Sequence, residues 1–474
     1  MMMFALFAAA LSGAVPGFAQ QVANALAAVS PSVRIAGREA RPEPVEALMR
    51  RANVPGLSIA IIREGKVAYA KGFGVADSSS GAPVTVDSLF QAASVSKPVT
   101  ASGALALVDS GRLDLDRPVN AYLTSWRIPD SPMAPGSAVT LRQLLSHTAG
   151  LNVHGFGGYA AGAPLPTLAQ VLEGAAPANS EAVRITLKPG SEWRYSGGGY
   201  TVLQQLLTDV GGRPMPELMQ DLVLGPAGMS RSAFVQPPSG AARTLAVTGH
   251  SGEGKPIPGG YRIYPELAAA GLWTNPSELA RWAIAITDAY GGKEGGIITP
   301  ATARAMLTPG KGEFGLGLPV LGEGAAMRFT HSGVNEGFRA LLIAHPNRRD
   351  GVVIMANGDN GGNLFGPISL AIAPVMGWNE VQARTITPAV ISRKERADVL
   401  GRYAGGPATV DVAIAGDRII ATQDGSGSFE LIPLGKDAFS APDIGVRVEF
   451  KRDPASRRVV ELVASGGLRL KKVR

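Results

Sequence analysis

The chain has 474 residues, 45% hydrophobic and 18% charged, and its 60 glycines and 35 prolines fall into no repeat, which excludes collagenous and largely disordered chains and leaves length for two or three domains. Cysteine is absent, which removes disulfides, thiolate metal sites and cysteine nucleophiles; the five histidines (147, 154, 250, 331 and 345) lack the two-histidine spacing of a zinc protease, so no metal or other cofactor is expected. The net charge of +7 is carried by scattered Lys and Arg rather than by one basic stripe, so no nucleic-acid partner is expected either.

Residues 1–19 carry no charge and run through an apolar stretch from Phe4 to Leu11 before Gly17-Phe18-Ala19. Such a segment ending in small residues reads as a signal peptide cleaved after Ala19, which places the mature protein in the periplasm or outside the cell. No later apolar run reaches the roughly eighteen residues that a membrane-spanning helix needs.

A short helix is predicted over 44–51, followed by two apolar runs, 57–62 and 67–70, whose junction at Glu64-Gly65 marks a hairpin. Ser94-Val95-Ser96-Lys97-Pro98 opens a helical pattern that stops at Gly111, because proline is tolerated in a first helical turn. Further helices are predicted over 141–145, 201–210 and 276–285, and the runs 341–344 and 352–355 read as buried strands. Strands at both ends with helices between them imply one sheet brought together around a helical insertion.

The composition changes near residue 385, where Thr387-Pro388 and Ser392-Arg393-Lys394-Glu395 form a polar connection. Beyond it lie six short alternating runs (409–414, 418–422, 429–432, 446–450, 459–463 and 468–470), separated by turns such as Gly416-Asp417. Short, regularly spaced strands of this kind predict a small antiparallel β-barrel over 388–474, with the larger domain over 30–380. No catalytic constellation falls in the barrel.

Three places in the larger domain carry candidate chemistry. Ser94 and Lys97 are three residues apart at a helix start, so they share one face, and the serine oxygen sits in the positive field of unpaired N–H groups. A serine there suits nucleophilic attack, with the neutral form of the neighbouring amine taking its proton. No other lysine in the chain has a serine three residues before it. The second place is Trp193-Arg194-Tyr195-Ser196-Gly197-Gly198-Gly199-Tyr200, where an aromatic hydroxyl precedes a flexible stretch; taken alone it also fits a turn with a packed tyrosine. The third is Phe329-Thr330-His331-Ser332-Gly333-Val334-Asn335-Glu336-Gly337, a strand whose glycine would let a substrate backbone approach. His331 alone fits a satisfied half-buried histidine equally well.

Taken together, the order and spacing of the three resemble the serine β-lactamase and penicillin-binding family, in particular its class C and D-aminopeptidase-like branch. Ser94-Val95-Ser96-Lys97 matches the family's S-x-x-K, Tyr195-Ser196-Gly197 its Y-x-N except at the last position, and His331-Ser332-Gly333 the H-x-G variant of its K-T-G. Leu144-Leu145-Ser146-His147-Thr148-Ala149-Gly150-Leu151 and Ala270-Gly271-Leu272-Trp273-Thr274 are similar to two further family segments, and the resemblance covers roughly residues 40–378. The C-terminal barrel resembles the lipocalin-like domains appended to some members.

The resemblance implies an α+β fold, an antiparallel sheet flanked by helices with an all-helical region beside it, and acyl transfer as the chemistry. Ser94 would be acylated, Lys97 and Tyr195 would share the general-base and general-acid work, and the N–H groups of Ser94 and Val334 would hold the oxyanion, with His331, Ser332, Gly333 and Gly197 also lining the substrate site. Water would release the acyl group.

Gly197 stands where the family often carries Asn, and His331 replaces its Lys with a weaker, pH-dependent positive charge. The expected substrates are therefore small esters or D-amino-acid-containing amides and short peptides. Weak β-lactam or D,D-peptide hydrolysis is the alternative within the family, and a wall- or penicillin-binding module without turnover is the alternative of another class. The nucleophile elbow G-x-S-x-G and the P-loop pattern are both missing from the sequence.

Overall fold

The computed structural model describes residues 17–473 apart from 137, 407, 425, 426 and 466. Its main sheet contains β1 (Gly56–Arg63), β2 (Lys66–Gly74), β3 (Val320–Leu321), β4 (Arg328–Asn335), β5 (Phe338–His345) and β6 (Asp350–Ala356), hydrogen-bonded in the order β2-β1-β6-β5-β4-β3. Every neighbouring pair is antiparallel. The predicted hairpin closes through Glu64 and Gly65, at φ 53° and 73°. Positive φ at both central residues is what a two-residue turn matching the strand twist demands.

β1 and β6 are neighbouring interior strands, and their apolar runs are buried on both faces. Ile59 and Ile61 of β1 point to one layer together with Val352 and Ile354, while Ala60, Ile62, Val353 and Met355 point to the other. The first layer is covered by α1 (Phe18–Leu26) and α5 (Gly362–Met376), through Val22, Leu26, Ile368 and Ile372. The second is covered by α4 (Pro276–Tyr290), through Leu279, Trp282 and Ile286. α2 (Ser96–Asp109) and α3 (Gly197–Gly211) continue that second core into a helical region beside the sheet. Each such apolar side chain contributes about 1.5–3 kcal/mol by leaving water.

The expected signal-peptide segment falls largely on residues 1–16, outside the described residues, and its expected cleavage point after Ala19 lies within α1. Among the described residues no helix is long and apolar enough to cross a membrane.

After residue 400 the chain forms a closed antiparallel barrel of eight strands: Gly401–Gly405, Ala408–Ala415, Arg418–Gln423, Gly427–Pro433, Ala438–Ala441, Val446–Arg452, Val459–Ala464 and Arg469–Val473. The six predicted strands are among them. The two unforeseen ones, Gly401–Gly405 and Ala438–Ala441, are short and show no apolar alternation; each has a partner on both sides, Gly401–Gly405 closing the barrel against Arg469–Val473 and Ala438–Ala441 lying between its two chain neighbours. Tyr403, Phe439 and Phe450 fill the interior, the Phe450 ring centre lying 5.3 Å from that of Phe439, edge to face, and 5.5 Å from that of Tyr403. Val33–Ile35 pairs in parallel with Arg384–Ile386, and Arg38 forks onto Glu430 of the barrel at 2.7 and 2.8 Å, so the N-terminal segment holds both parts.

Candidate active site

Ser94 lies where a short strand turns into a helix. Phe90–Gln91 pairs antiparallel with Trp273–Thr274, Ala92 N–H donates to Leu272 O at 2.9 Å, and Ser96 Oγ accepts from Leu272 N–H at 3.0 Å. The segment around Leu272 thus grips the chain on both sides of Ser94. Ala93 is held at φ 50°, a left-handed conformation that costs a non-glycine residue about 1–2 kcal/mol, and a 3₁₀ turn over Ala93–Val95 leads directly into α2. In the first turn of α2, Lys97 is 2% exposed, and its Nζ donates to Ser94 Oγ at 3.1 Å and to Ala269 O at 2.8 Å. The same Nζ lies 5.0 Å from the centre of the Tyr195 ring and 5.8 Å from that of Tyr200.

Tyr195 arrives just before α3, whose N-cap is Ser196: its Oγ accepts from Gly199 N–H at 2.9 Å and donates to Asn152 O at 2.7 Å. Gly197, Gly198 and Gly199 are buried in the first turn of this helix, not the flexible stretch that three consecutive glycines suggest. A Cβ at position 197 would come within 3.0 Å of the Phe156 ring and 3.1 Å of His154 O, and one at 198 within 3.0 Å of Asn152 O. The loop 152–156 therefore occupies the space in which a side chain at Gly197 would start.

β4 completes the site. Its alternation buries His331, Gly333 and Asn335, while Ser332 and Val334 are exposed. A Cβ on Gly333 would stand 2.2 Å from Ala92 O, so only glycine allows the strand to rest on the turn that carries Ser94. Thr330 N–H donates to Pro319 O at 3.1 Å on the β3 side of the sheet. By the two-residue period the N–H groups of Ser332 and Val334 point to that same edge, beyond β3, which pairs only with Arg328 and Phe329.

His331 departs from expectation. Its Nδ1 lies 2.7 Å from Ser332 O, and since a carbonyl only accepts, Nδ1 carries the proton and the buried Nε2 is a bare lone pair with no partner among the described residues. Burial, reinforced by Lys97, pulls its pKa down to about 3. The imidazole is neutral at ordinary pH, so the pH-dependent positive charge expected at this position is corrected to an uncharged acceptor.

Three residues that the motif reading assigned no role close the cluster. The His147 ring packs on Tyr195 at 4.3 Å, on Phe314 at 4.8 Å and on Tyr200 at 5.3 Å, and its Nδ1 accepts from Ser196 N–H at 3.1 Å. Burial, then Lys97, keeps the His147 pKa well below the usual imidazole value, and burial raises that of Tyr200 well above a free phenol. Tyr200 Oη donates to Leu145 O at 3.3 Å. The histidine sat in view within Leu144-Leu145-Ser146-His147, but Tyr200 and Phe314 carry no sequence signal beyond being aromatic.

Comparison with protein-family profiles matches the Beta-lactamase family over residues 43–373, well over half of the chain. Esterase EstB of Burkholderia gladioli is 34% identical over 225 residues, 45% of this chain and 54% of that protein. D-aminopeptidase of Brucella anthropi is 25% identical over 316 residues, 65% of this chain and 57% of that protein, so the chain spans little more than half the length of either relative. Among solved structures, the octameric penicillin-binding protein homologue from Pyrococcus abyssi superimposes with a TM-score of 0.59 at 24% identity, over 90% of this chain and 98% of that one, a likeness of fold. With a sheet of this topology, a Ser94–Lys97 pair at a helix start and a family match over residues 43–373, the chain belongs to the β-lactamase family.

Proposed function

We propose that the protein is a serine hydrolase that forms an acyl-enzyme on Ser94 and acts on small esters or on D-amino-acid-containing amides and short peptides. The observation that carries this reading is the 3.1 Å contact between Lys97 Nζ and Ser94 Oγ at a buried helix start. Ser94 Oγ attacks the carbonyl carbon as its proton passes to the Lys97–Tyr195 pair, the carbonyl oxygen becomes an oxyanion facing the N–H groups of Ser94 and Val334, and the leaving group departs with the proton. Water then attacks the ester so formed, and Ser94 recovers its proton. An oxyanion donor of this type is typically worth a factor of about 100–1,000 in rate.

Two features favour ester-like or uncharged substrates over β-lactams. A neutral His331 offers no cation to a substrate carboxylate, and Gly197 offers no side-chain amide. The exposed Trp193 ring and the half-buried Tyr195 ring, backed by the buried Phe314, suit an apolar acyl or alcohol group. In this reading 30–380 is the hydrolase domain, 388–474 a lipocalin-like appendage, and residues 1–19 an export signal.

Intact-mass spectrometry after exposure to a fluorophosphonate and, separately, to benzylpenicillin tests the proposal. The expected result is one phosphonyl adduct that disappears in Ser94→Ala, with turnover of a short-chain nitrophenyl ester well above that of nitrocefin. Labelling that survives Ser94→Ala, or an acyl adduct that never turns over, overturns it.

A further inference from the structure

Gln91 stands three residues before Ser94, and Asn335 directly follows Val334. Both are buried, at 0% and 4% exposure, and Asn335 Nδ2 donates to Gln91 Oε1 at 2.6 Å and to Ala270 O at 3.3 Å. Gln91 Nε2 in turn donates to Arg262 O at 2.7 Å, so its amide has one orientation and its oxygen is fixed as the acceptor. Gln91 is also locked along its backbone, through pairing with Trp273. The amide chain Arg262–Gln91–Asn335–Ala270 therefore ties the end of β4 to the segment that bears the nucleophile.

Other contacts between those two parts are steric. Gly333 rests on Ala92 O, and Ala93 adopts its left-handed φ beneath it. A steric contact sets a minimum distance; a hydrogen bond sets a maximum as well. In a buried setting, losing one partner leaves the other amide unsatisfied, which costs about 1–3 kcal/mol and is relieved only by movement of strand or turn.

We propose that Gln91 and Asn335 are positioning residues that hold the N–H of Ser94 and the N–H of Val334 at the separation one oxyanion requires. Neither side chain touches the reacting atoms. The inference rests on the serine-hydrolase reading above. Loosening the pair lowers kcat on an ester while KM changes little, because the oxyanion exists only after attack.

The test compares a nitrophenyl ester with its matched thionoester, in which a larger, weakly accepting sulfur replaces the carbonyl oxygen. Gln91→Leu and Asn335→Ala are each expected to lower kcat on the oxygen ester about 10-fold or more, with KM within about threefold and a smaller loss on the thionoester, so that the oxygen-to-sulfur rate ratio falls. The double variant is expected to lose no more than either single one. The exchange Q91N/N335Q, which keeps two amides of the same summed length, is expected to recover part of the ratio. Rates are expressed per active site titrated with fluorophosphonate, which removes any contribution from misfolded protein. An unchanged ratio in both single variants, or losses that add in the double variant, overturns the positioning role. Failure of the wild type to turn over either ester would count against the hydrolase reading instead.

Discussion

Lys97 Nζ bridges two fixed points, Ser94 Oγ at 3.1 Å and the carbonyl of Ala269 at 2.8 Å. The amine is thereby held against the Ser94 hydroxyl by backbone from a different part of the chain. Ser94→Ala is expected to abolish ester hydrolysis, by about 1,000-fold or more, with a melting temperature close to wild type, because the change removes one half-buried hydroxyl. Lys97→Met is expected to lose as much activity while the isosteric chain still fills the pocket. Steady-state rates and a thermal melt on the same samples decide it, and retention of more than a tenth of wild-type kcat in either variant would count against the pair.

Gly333 is expected to tolerate no side chain. A Cβ there meets Ala92 O at 2.2 Å, so Gly333→Ala pushes β4 off the turn that carries Ser94 and, in the proposed mechanism, separates the two oxyanion donors. The expected outcome is a loss in kcat of about 100-fold or more, with a lowered melting temperature. Near-wild-type kcat for Gly333→Ala would mean that β4 does not contribute to the reacting site.

The pH profile separates the two views of His331. With its pKa held down to about 3, it is neutral throughout the pH range of an ester-hydrolysis assay, and so supplies no titrating charge. His331→Asn is therefore expected to leave the acid limb of kcat/KM between about pH 5 and 7 unshifted, whatever it does to the absolute rate. An acid limb that disappears in the variant would restore the charged role.

Glu266 makes an independent stability prediction. It is fully buried, neither carboxylate oxygen has a partner among the described residues, and burial raises its pKa from the ordinary 4.5 to about 7. The folded state then binds more protons than the unfolded state above about pH 4.5, so unfolding free energy falls as pH rises, and the penalty is fully developed above about pH 7. Glu266→Gln removes this dependence. Relative to wild type, it is expected to gain about 2 kcal/mol more at pH 8 than at pH 5 in urea melts. Equal differences at the two pH values would mean that Glu266 is ionised in the fold.

Strands β1 and β6 were visible because a strand buried on both faces is a continuous apolar run, as at 57–62 and 352–355, whereas the two-residue β3 was not foreseen; six of the eight barrel strands were visible because a barrel wall alternates. Ser94 and Lys97 were legible because their relation is local: three residues on a helix fix two side chains on one face.

Other features depend on contacts between distant segments. Strands Gly401–Gly405 and Ala438–Ala441 owe their form to strand partners on both sides and not to their own pattern, the first of them through barrel closure. The three glycines after Ser196 became a buried helical turn because loop 152–156 packs on them, and His331 lost its expected charge to burial beside Lys97. The hydrogen bond from Asn335 to Gln91 joins residues 244 apart. Contacts at that separation, and the dielectric they create, depend on how the chain closes around a site, which no local spacing records.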